Sequence, residues 1–179
     1  FSILKNYFTG EIPEGIGNLT QITYLNFGYN YLYGEIPSSI GNLTQLTELY
    51  FTANQLSGPL PDSMGNFSEL EMLSIFDNIL SGEIPESFGN LQQLISFNAG
   101  VNQLQGEIPE SIGNLVLLER LWLNNNQLSG EVPESICNLT NLNWSSYWID
   151  GDYSYLYNNN LCPPYPDCIE SNVGFQDIS

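Results

Sequence analysis

One nine-residue phrase recurs along this chain at a constant spacing of 24 residues. It reads GEIPEGIGN at residues 10–18, and closely similar phrases follow at 34–42, 58–66, 82–90, 106–114 and 130–138. Five complete units therefore occupy residues 19–138, after a partial repeat at 1–18. Because one unit is too short to bury its own apolar side, such units must stack on one another. The repeat thus predicts a solenoid.

Apolar residues between the phrases repeat with the same spacing. Leu25 and Phe27 have counterparts in every unit, so each unit is predicted to contain a short strand with these side chains inside. A proline in each phrase, such as Pro37, removes a backbone donor. The returning segment is therefore expected to follow a 3₁₀ or extended path.

An asparagine stands at one fixed place after each predicted strand. Its amide can satisfy backbone groups in a tight bend. We expect a buried structural ladder made of Asn6, Asn30, Asn54, Asn78, Asn102 and Asn126.

These positions carry a family resemblance over residues 1–142. The pattern LxxLxxLxLxxNxLxGxIPxxIGN is similar to the plant-type leucine-rich repeat of plant receptor-kinase ectodomains, polygalacturonase-inhibiting proteins and secreted bacterial repeat proteins. The resemblance implies a right-handed superhelix with a parallel β-sheet on the concave side and 3₁₀ or extended segments on the convex side. It also implies that ligands bind on the concave side.

The period breaks after Leu142, and residues 139–179 are predicted to form a C-terminal capping region with an aromatic insertion. Aligning Asn159 with Asn126 requires about nine extra residues. With that offset Cys168 falls two positions from the residue stacked over Cys137, so a Cys137–Cys168 disulfide is preferred. Cys162–Cys168 is the local alternative, and one thiol stays unpaired. Disulfides indicate an extracellular or cell-surface location.

At the other end, the sequence begins inside a predicted strand. No preceding coil covers Phe1, Ile3, Phe8, Ile12 and Ile16. We expect either that the segment was cut from a longer protein or that self-association covers this uncapped N-terminal face.

Composition excludes several classes of function. Lys5 and Arg120 oppose 20 acidic residues, which gives a net charge of −18, and the chain has no histidine. Such a chain binds no nucleic acid, and no apolar run is long enough for membrane insertion. Without histidine, the usual general base and metal ligand are missing. The sequence therefore predicts no catalysis, no metal site and no cofactor.

Half of the acidic residues form two rows, each at one repeat position and each present in five of the six phrases: Glu11, Glu35, Glu83, Glu107 and Glu131, and Glu14, Asp62, Glu86, Glu110 and Glu134. A Ca²⁺-binding edge is one interpretation of these rows. A solvated flank that discourages aggregation is the favoured one, because the rows lack the mixed carbonyl and carboxylate clusters of Ca²⁺ sites.

Outward positions of the predicted strands include aromatic residues on several coils. Exposed aromatic side chains supply contact area at low entropy cost, as recognition sites do, although tyrosine and phenylalanine also simply suit strands. The predicted ligand-binding face comprises Tyr24, Glu48, Tyr50, Met72, Phe76, Asn98, Arg120 and Trp122.

Five N-x-S/T sequons could accept glycans in a eukaryotic secretory pathway. They begin at Asn18, Asn42, Asn66, Asn138 and Asn143. The first four occupy a repeat position that is asparagine in units without a sequon too, so the motif has a structural explanation as well.

The prediction is a secreted or surface binding module that recognises a protein, peptide or glycan on its concave face. One alternative is a structural protein that self-assembles into a surface layer or fibre. The other is an inhibitor of a foreign hydrolase, which the resemblance to plant inhibitor proteins suggests and the acidity supports weakly.

Overall fold

The computed structural model of the chain describes residues 1–145, 153–170, 174 and 176. Each 24-residue unit forms one coil with two short strands and a five-residue 3₁₀ helix. Successive coils stack in parallel, so the same element of neighbouring coils lies side by side. Residues 146–152, which hold much of the expected aromatic insertion, lie outside the described residues.

The first strand of each coil joins a five-stranded parallel sheet, called here the concave sheet. Its register repeats every 24 residues, so that Leu25 lies opposite Leu49 and Leu49 opposite Leu73. The strands are Tyr24–Asn26, Glu48–Tyr50, Met72–Ser74, Ser96–Asn98 and Arg120–Trp122.

The second strand of each coil belongs to a seven-stranded parallel sheet, called here the flank sheet. Sequence analysis did not predict this sheet, although the buried Leu32 between the exposed Tyr31 and Tyr33 repeats in every coil and is a strand pattern. The strands are Thr9–Gly10, Tyr31–Gly34, Gln55–Pro59, Ile79–Gly82, Gln103–Gly106, Gln127–Glu131 and Asn160–Cys162.

Neighbouring strands of the flank sheet are staggered by two residues relative to the repeat, so that Tyr33 lies opposite Gln55. The outward side chains form six cross-strand pairs without a charged group, called here the uncharged ribbon. The pairs are Thr9–Tyr31, Tyr33–Gln55, Ser57–Ile79, Ser81–Gln103, Gln105–Gln127 and Ser129–Asn160.

The convex side consists of stacked 3₁₀ helices, each preceded by a proline in an extended conformation. Their packing is close, because Ser87 Oγ donates a 2.9 Å hydrogen bond to the Asp62 carbonyl of the preceding coil. The same bond recurs from Ser39, Ser63, Ser111 and Ser135. The helices are Glu14–Asn18, Ser38–Asn42, Asp62–Asn66, Glu86–Asn90, Glu110–Asn114 and Glu134–Asn138.

The apolar repeat positions fill the space between the two sheets and the 3₁₀ helices. Leu49, Leu73 and Phe97 are at most 1% exposed, and the buried cluster continues from Ile12 to Ile169. Full burial of such a side chain contributes about 1.5–3 kcal/mol. One continuous core therefore holds the coils together.

The asparagine ladder links each coil to the one before it. Asn78 Nδ2 donates to the carbonyl oxygens of Ile75 and Phe76 in its own coil and of Phe51 in the preceding coil, and its Oδ1 accepts from Leu56 N–H. The same set of bonds is made by Asn30, Asn54, Asn102, Asn126 and Asn159.

Burial along the ladder varies. Asn30, Asn78 and Asn126 are buried, whereas Asn54 and Asn102 are half-buried. Asn6 is exposed, and its side-chain amide donates to the carbonyl oxygens of Ile3 and Leu4 in its own coil, while its backbone N–H donates to the Tyr29 carbonyl of the next coil.

The ladder stabilises an unfavourable backbone conformation. The residue before each of these asparagines has a positive φ, between 52° and 58°, at Lys5, Tyr29, Ala53, Asp77, Val101, Asn125 and Asn158. Residues with a side chain rarely adopt this left-handed conformation. The side-chain hydrogen bonds of the asparagine hold the backbone in this bend in every coil.

The expectation that the first apolar residues lack cover is wrong for two of them. Ile12 and Ile16 are buried in the core, because the first 3₁₀ helix packs against the second. Phe1 and Phe8 remain 57% and 51% exposed.

The C-terminal coil is attached by a disulfide between Cys137 and Cys168, and Cys162 is a free thiol. Cys137 occupies the repeat position that is glycine in the five preceding 3₁₀ helices. At those glycines a Cβ atom would collide with the next coil; at Gly65 it would lie 2.6 Å from Ser87 Cβ.

Replacing Gly65 by alanine should therefore overpack this contact and lower the free energy of unfolding by about 1–3 kcal/mol. Gly15→Ala is the matched control, since Gly15 also lies in a 3₁₀ helix but an added Cβ there meets nothing within 4 Å. Urea unfolding measures both variants. Equal losses for the two would contradict the packing described here.

Asn78→Ala should lower the free energy of unfolding by about 1–3 kcal/mol, because it leaves the buried Leu56 N–H unpaired and removes one of the two donors to the Phe51 and Ile75 carbonyl oxygens. Asn90→Ala at an exposed convex position should change it by less than about 0.5 kcal/mol. Thermal and urea unfolding compare the two variants, and a mild effect at Asn78 would rule out the proposed importance of the ladder.

Candidate functional site

The eight residues predicted to bind a ligand are all half-buried. Seven of them lie on the outward face of the concave sheet, in two rows that run across its strands. Phe76 follows two residues after Ser74, on the same side as Ser74. One row contains Tyr24, Glu48, Met72, Ser96 and Arg120, and the other contains Asn26, Tyr50, Ser74, Asn98 and Trp122.

The first two strands bring an acidic and aromatic cluster together. Tyr50 Oη donates a 2.8 Å hydrogen bond to Glu48 Oε2, and the Tyr24 and Tyr50 rings lie 6.0 Å apart. Asn26 Nδ2 donates to Tyr24 Oη at 2.8 Å. Burial, together with the hydrogen bond to Glu48 and its charge, raises the pKa of Tyr50 well above its ordinary value. Tyr50 therefore stays protonated and holds the Glu48 carboxylate in place.

Arg120 and Trp122 lie on the fifth strand, three coils from Tyr50. At the usual strand spacing this separation is about 14 Å. Tyr155 pairs with Trp122 as the next rung, and its ring contacts that of Tyr157 at 5.7 Å. Sequence reasoning missed these two tyrosines, although the resumed pattern around Asn159 could have indicated them.

Small polar side chains occupy the middle of the face. Thr52 Oγ1 and Ser74 Oγ form a 2.7 Å hydrogen bond, and Asn98 Oδ1 accepts from Gly100 N–H at 3.1 Å. Ser96 is buried although it points outward. The concave sheet therefore has small polar side chains together with Met72 and Phe76 between its two aromatic ends.

The acidic rows border a groove on the convex side with a volume of about 1370 Å³, lined by Glu83, Glu86, Glu107 and Glu110 among others. In the part of the chain that the structure describes, no group of three or more ligating side chains could hold a metal ion. The described helices are all short, and none is long and apolar enough to cross a membrane.

All five sequon asparagines are exposed, as an acceptor has to be. Four of them end a 3₁₀ helix on the convex side. Glycosylation at these positions stays a prediction.

Solved structures of plant receptors resemble this chain closely. The Arabidopsis receptor kinase HAESA, in complex with the peptide hormone IDA and the co-receptor SERK1, is 30% identical over 98% of this chain, with a TM-score of 0.87. The plant peptide hormone receptor RGFR1 in complex with RGF2 is 35% identical over 94%, with a TM-score of 0.80. A plant ice-binding protein is 30% identical over 89%, with a TM-score of 0.75.

The chain spans 28% of the HAESA structure, 26% of the RGFR1 structure and 49% of the ice-binding protein. A comparison with curated proteins gave no significant match. The family model described as a leucine-rich repeat region matches residues 3–105, and that described as a leucine rich repeat matches residues 117–139. The chain belongs to the leucine-rich-repeat family.

Proposed function

We propose that this chain is an extracellular or cell-surface binding module that recognises a protein or peptide on its concave sheet and performs no chemistry. The observation that carries this proposal is the in-register placement of half-buried aromatic and charged side chains on one rigid sheet. Such side chains combine apolar contact area with fixed positions, as binding hot spots do.

The spacing of the two aromatic ends suits an extended peptide. About 14 Å separates Tyr50 from Trp122, which an extended chain covers with roughly four residues. A cationic group of the peptide would meet Glu48 at one end, and an acidic group would meet Arg120 at the other. In the row of Tyr50 and Trp122 the small side chains of Ser74 and Asn98 leave room for the peptide backbone, and Met72 in the neighbouring row adds apolar contact.

The structural comparisons support a protein or peptide ligand. HAESA was solved with the peptide hormone IDA and the co-receptor SERK1, and the peptide hormone receptor RGFR1 was solved with RGF2; both resemble this chain over nearly its whole length. The Cys137–Cys168 disulfide supports a location outside the cytosol. Recognition of a glycan on this face, inhibition of a hydrolase and self-association through the N-terminal end have no comparable support and stay predictions.

The proposal is tested with a phage-displayed library of random peptides selected on the immobilised chain. For the selected peptide, Tyr50→Ala and Trp122→Ala should each weaken binding at least about tenfold, because each removes an aromatic anchor. Isothermal titration calorimetry measures the dissociation constants.

Leu117→Ala is the control, since Leu117 is exposed in the turn after the fifth 3₁₀ helix. It should leave the affinity unchanged. If both concave variants bind the peptide as tightly as the unmodified chain, the concave sheet is not the binding face.

A further inference from the structure

We propose that the uncharged ribbon on the flank sheet is a second binding site, separate from the concave sheet, for a neutral polysaccharide. It lies on a different sheet and uses different residues. The proposal therefore stands independently of the peptide-binding function.

The first argument is the distribution of charge. The chain contains 20 acidic residues, yet none of the twelve outward residues in the six cross-strand pairs is charged. The side chains are instead mostly amides, hydroxyls and tyrosines. Carboxylates begin at the C-terminal ends of the strands: Glu131 is the last residue of its strand, opposite Cys162, and Glu35 and Glu107 directly follow theirs. A neutral ligand can displace water from such a surface without removing the hydration shell of a charged group, which would cost free energy.

The second argument is an exposed aromatic platform at one end of the ribbon. Tyr31 and Tyr33 point outward from the same strand and are 49% and 48% exposed. Tyr7, which is 86% exposed, stacks on Tyr31 with the ring centroids 6.2 Å apart and the planes 17° from parallel. Stacking orients the Tyr7 and Tyr31 rings on the surface before any ligand arrives, and the Tyr33 ring lies next to them on the same strand.

These features match the chemistry of a sugar chain. A pyranose ring has an apolar face of C–H groups, which packs on an aromatic ring, and a rim of hydroxyl groups, which need hydrogen-bond partners. Gln55 lies directly opposite Tyr33, and Gln103 and Gln105 continue the amide groups along the ribbon. Seven strands at the usual spacing extend for about 29 Å. The ribbon is therefore long enough for an oligosaccharide of several units.

The negative charge of the chain favours neutral polysaccharides over acidic ones. A net charge of −18 and the glutamates beside the ribbon repel a polyanion. A protein partner fits less well, because protein interfaces have an apolar core and Ile79 is the only aliphatic side chain of the ribbon. A neutral glycan is therefore the ligand that the ribbon fits best.

Affinity electrophoresis in native gels containing hydroxyethylcellulose, xylan or galactomannan tests the proposal. The unmodified chain should be retarded by at least one of these neutral polysaccharides and not by polygalacturonate. The double variant Tyr31→Ala and Tyr33→Ala should raise the dissociation constant about tenfold or more, because it removes the aromatic platform. Circular dichroism and urea unfolding verify that the variant is folded.

Two matched substitutions of glutamine by glutamate test the ribbon without changing its tyrosines. Gln103→Glu places a carboxylate in the ribbon and should weaken retardation, whereas Gln93→Glu makes the same change at an exposed position outside it and should not. The proposal is wrong if no neutral polysaccharide retards the chain, if the tyrosine variant is retarded equally, or if polygalacturonate binds as well. It is also wrong if light scattering shows a dimer that the tyrosine variant abolishes, since the ribbon would then join two copies.

Discussion

Every coil must bend the backbone from the concave sheet into the flank sheet, and the asparagine amide makes this bend possible. The residue before the asparagine is left-handed, and at all seven of these bends in the described residues it is not glycine. The amide donates to two carbonyl groups that precede the bend in its own coil and to one carbonyl group of the preceding coil. Because each bend is completed by its neighbour, a single coil has no stable form, and stability arises only when coils stack.

This constraint divides the surface into three faces with different chemistry. The inward-facing residues of each coil pack in the apolar core, so differences in polarity and charge between the faces come from the outward-facing residues. The concave sheet carries both signs of charge together with aromatic side chains, the flank sheet carries a carboxylate only at Glu131, the last residue of its strand, and the two acidic rows follow the ends of the flank strands toward the convex side. Half of the acidic residues therefore lie along one edge of the molecule, and the net charge is not spread evenly over the surface.

The repeat was sufficient to predict the coils, the concave strands and the 3₁₀ path after each proline, because these depend on residue types that recur in every unit. It was not sufficient for the local contacts of the candidate site. Tyr50 bonds to Glu48, and Asn98 folds back onto Gly100, because of residues that differ between coils. The two-residue stagger of the flank sheet also escaped prediction, since it depends on how neighbouring coils tilt against each other and not on the spacing of residues within one.

The change from glycine to Cys137 determines where the array can grow. Between glycine-bearing helices, a further 24-residue unit could be inserted without creating a collision, and each insertion would lengthen all three faces by one strand spacing. After residue 138 this is no longer true, because a cysteine side chain occupies the place against which the next 3₁₀ helix would pack, and it is bonded to Cys168. Gene duplication can therefore lengthen the array of repeats between residues 19 and 138, whereas a unit inserted directly after residue 138 would have to replace the Cys137–Cys168 contact.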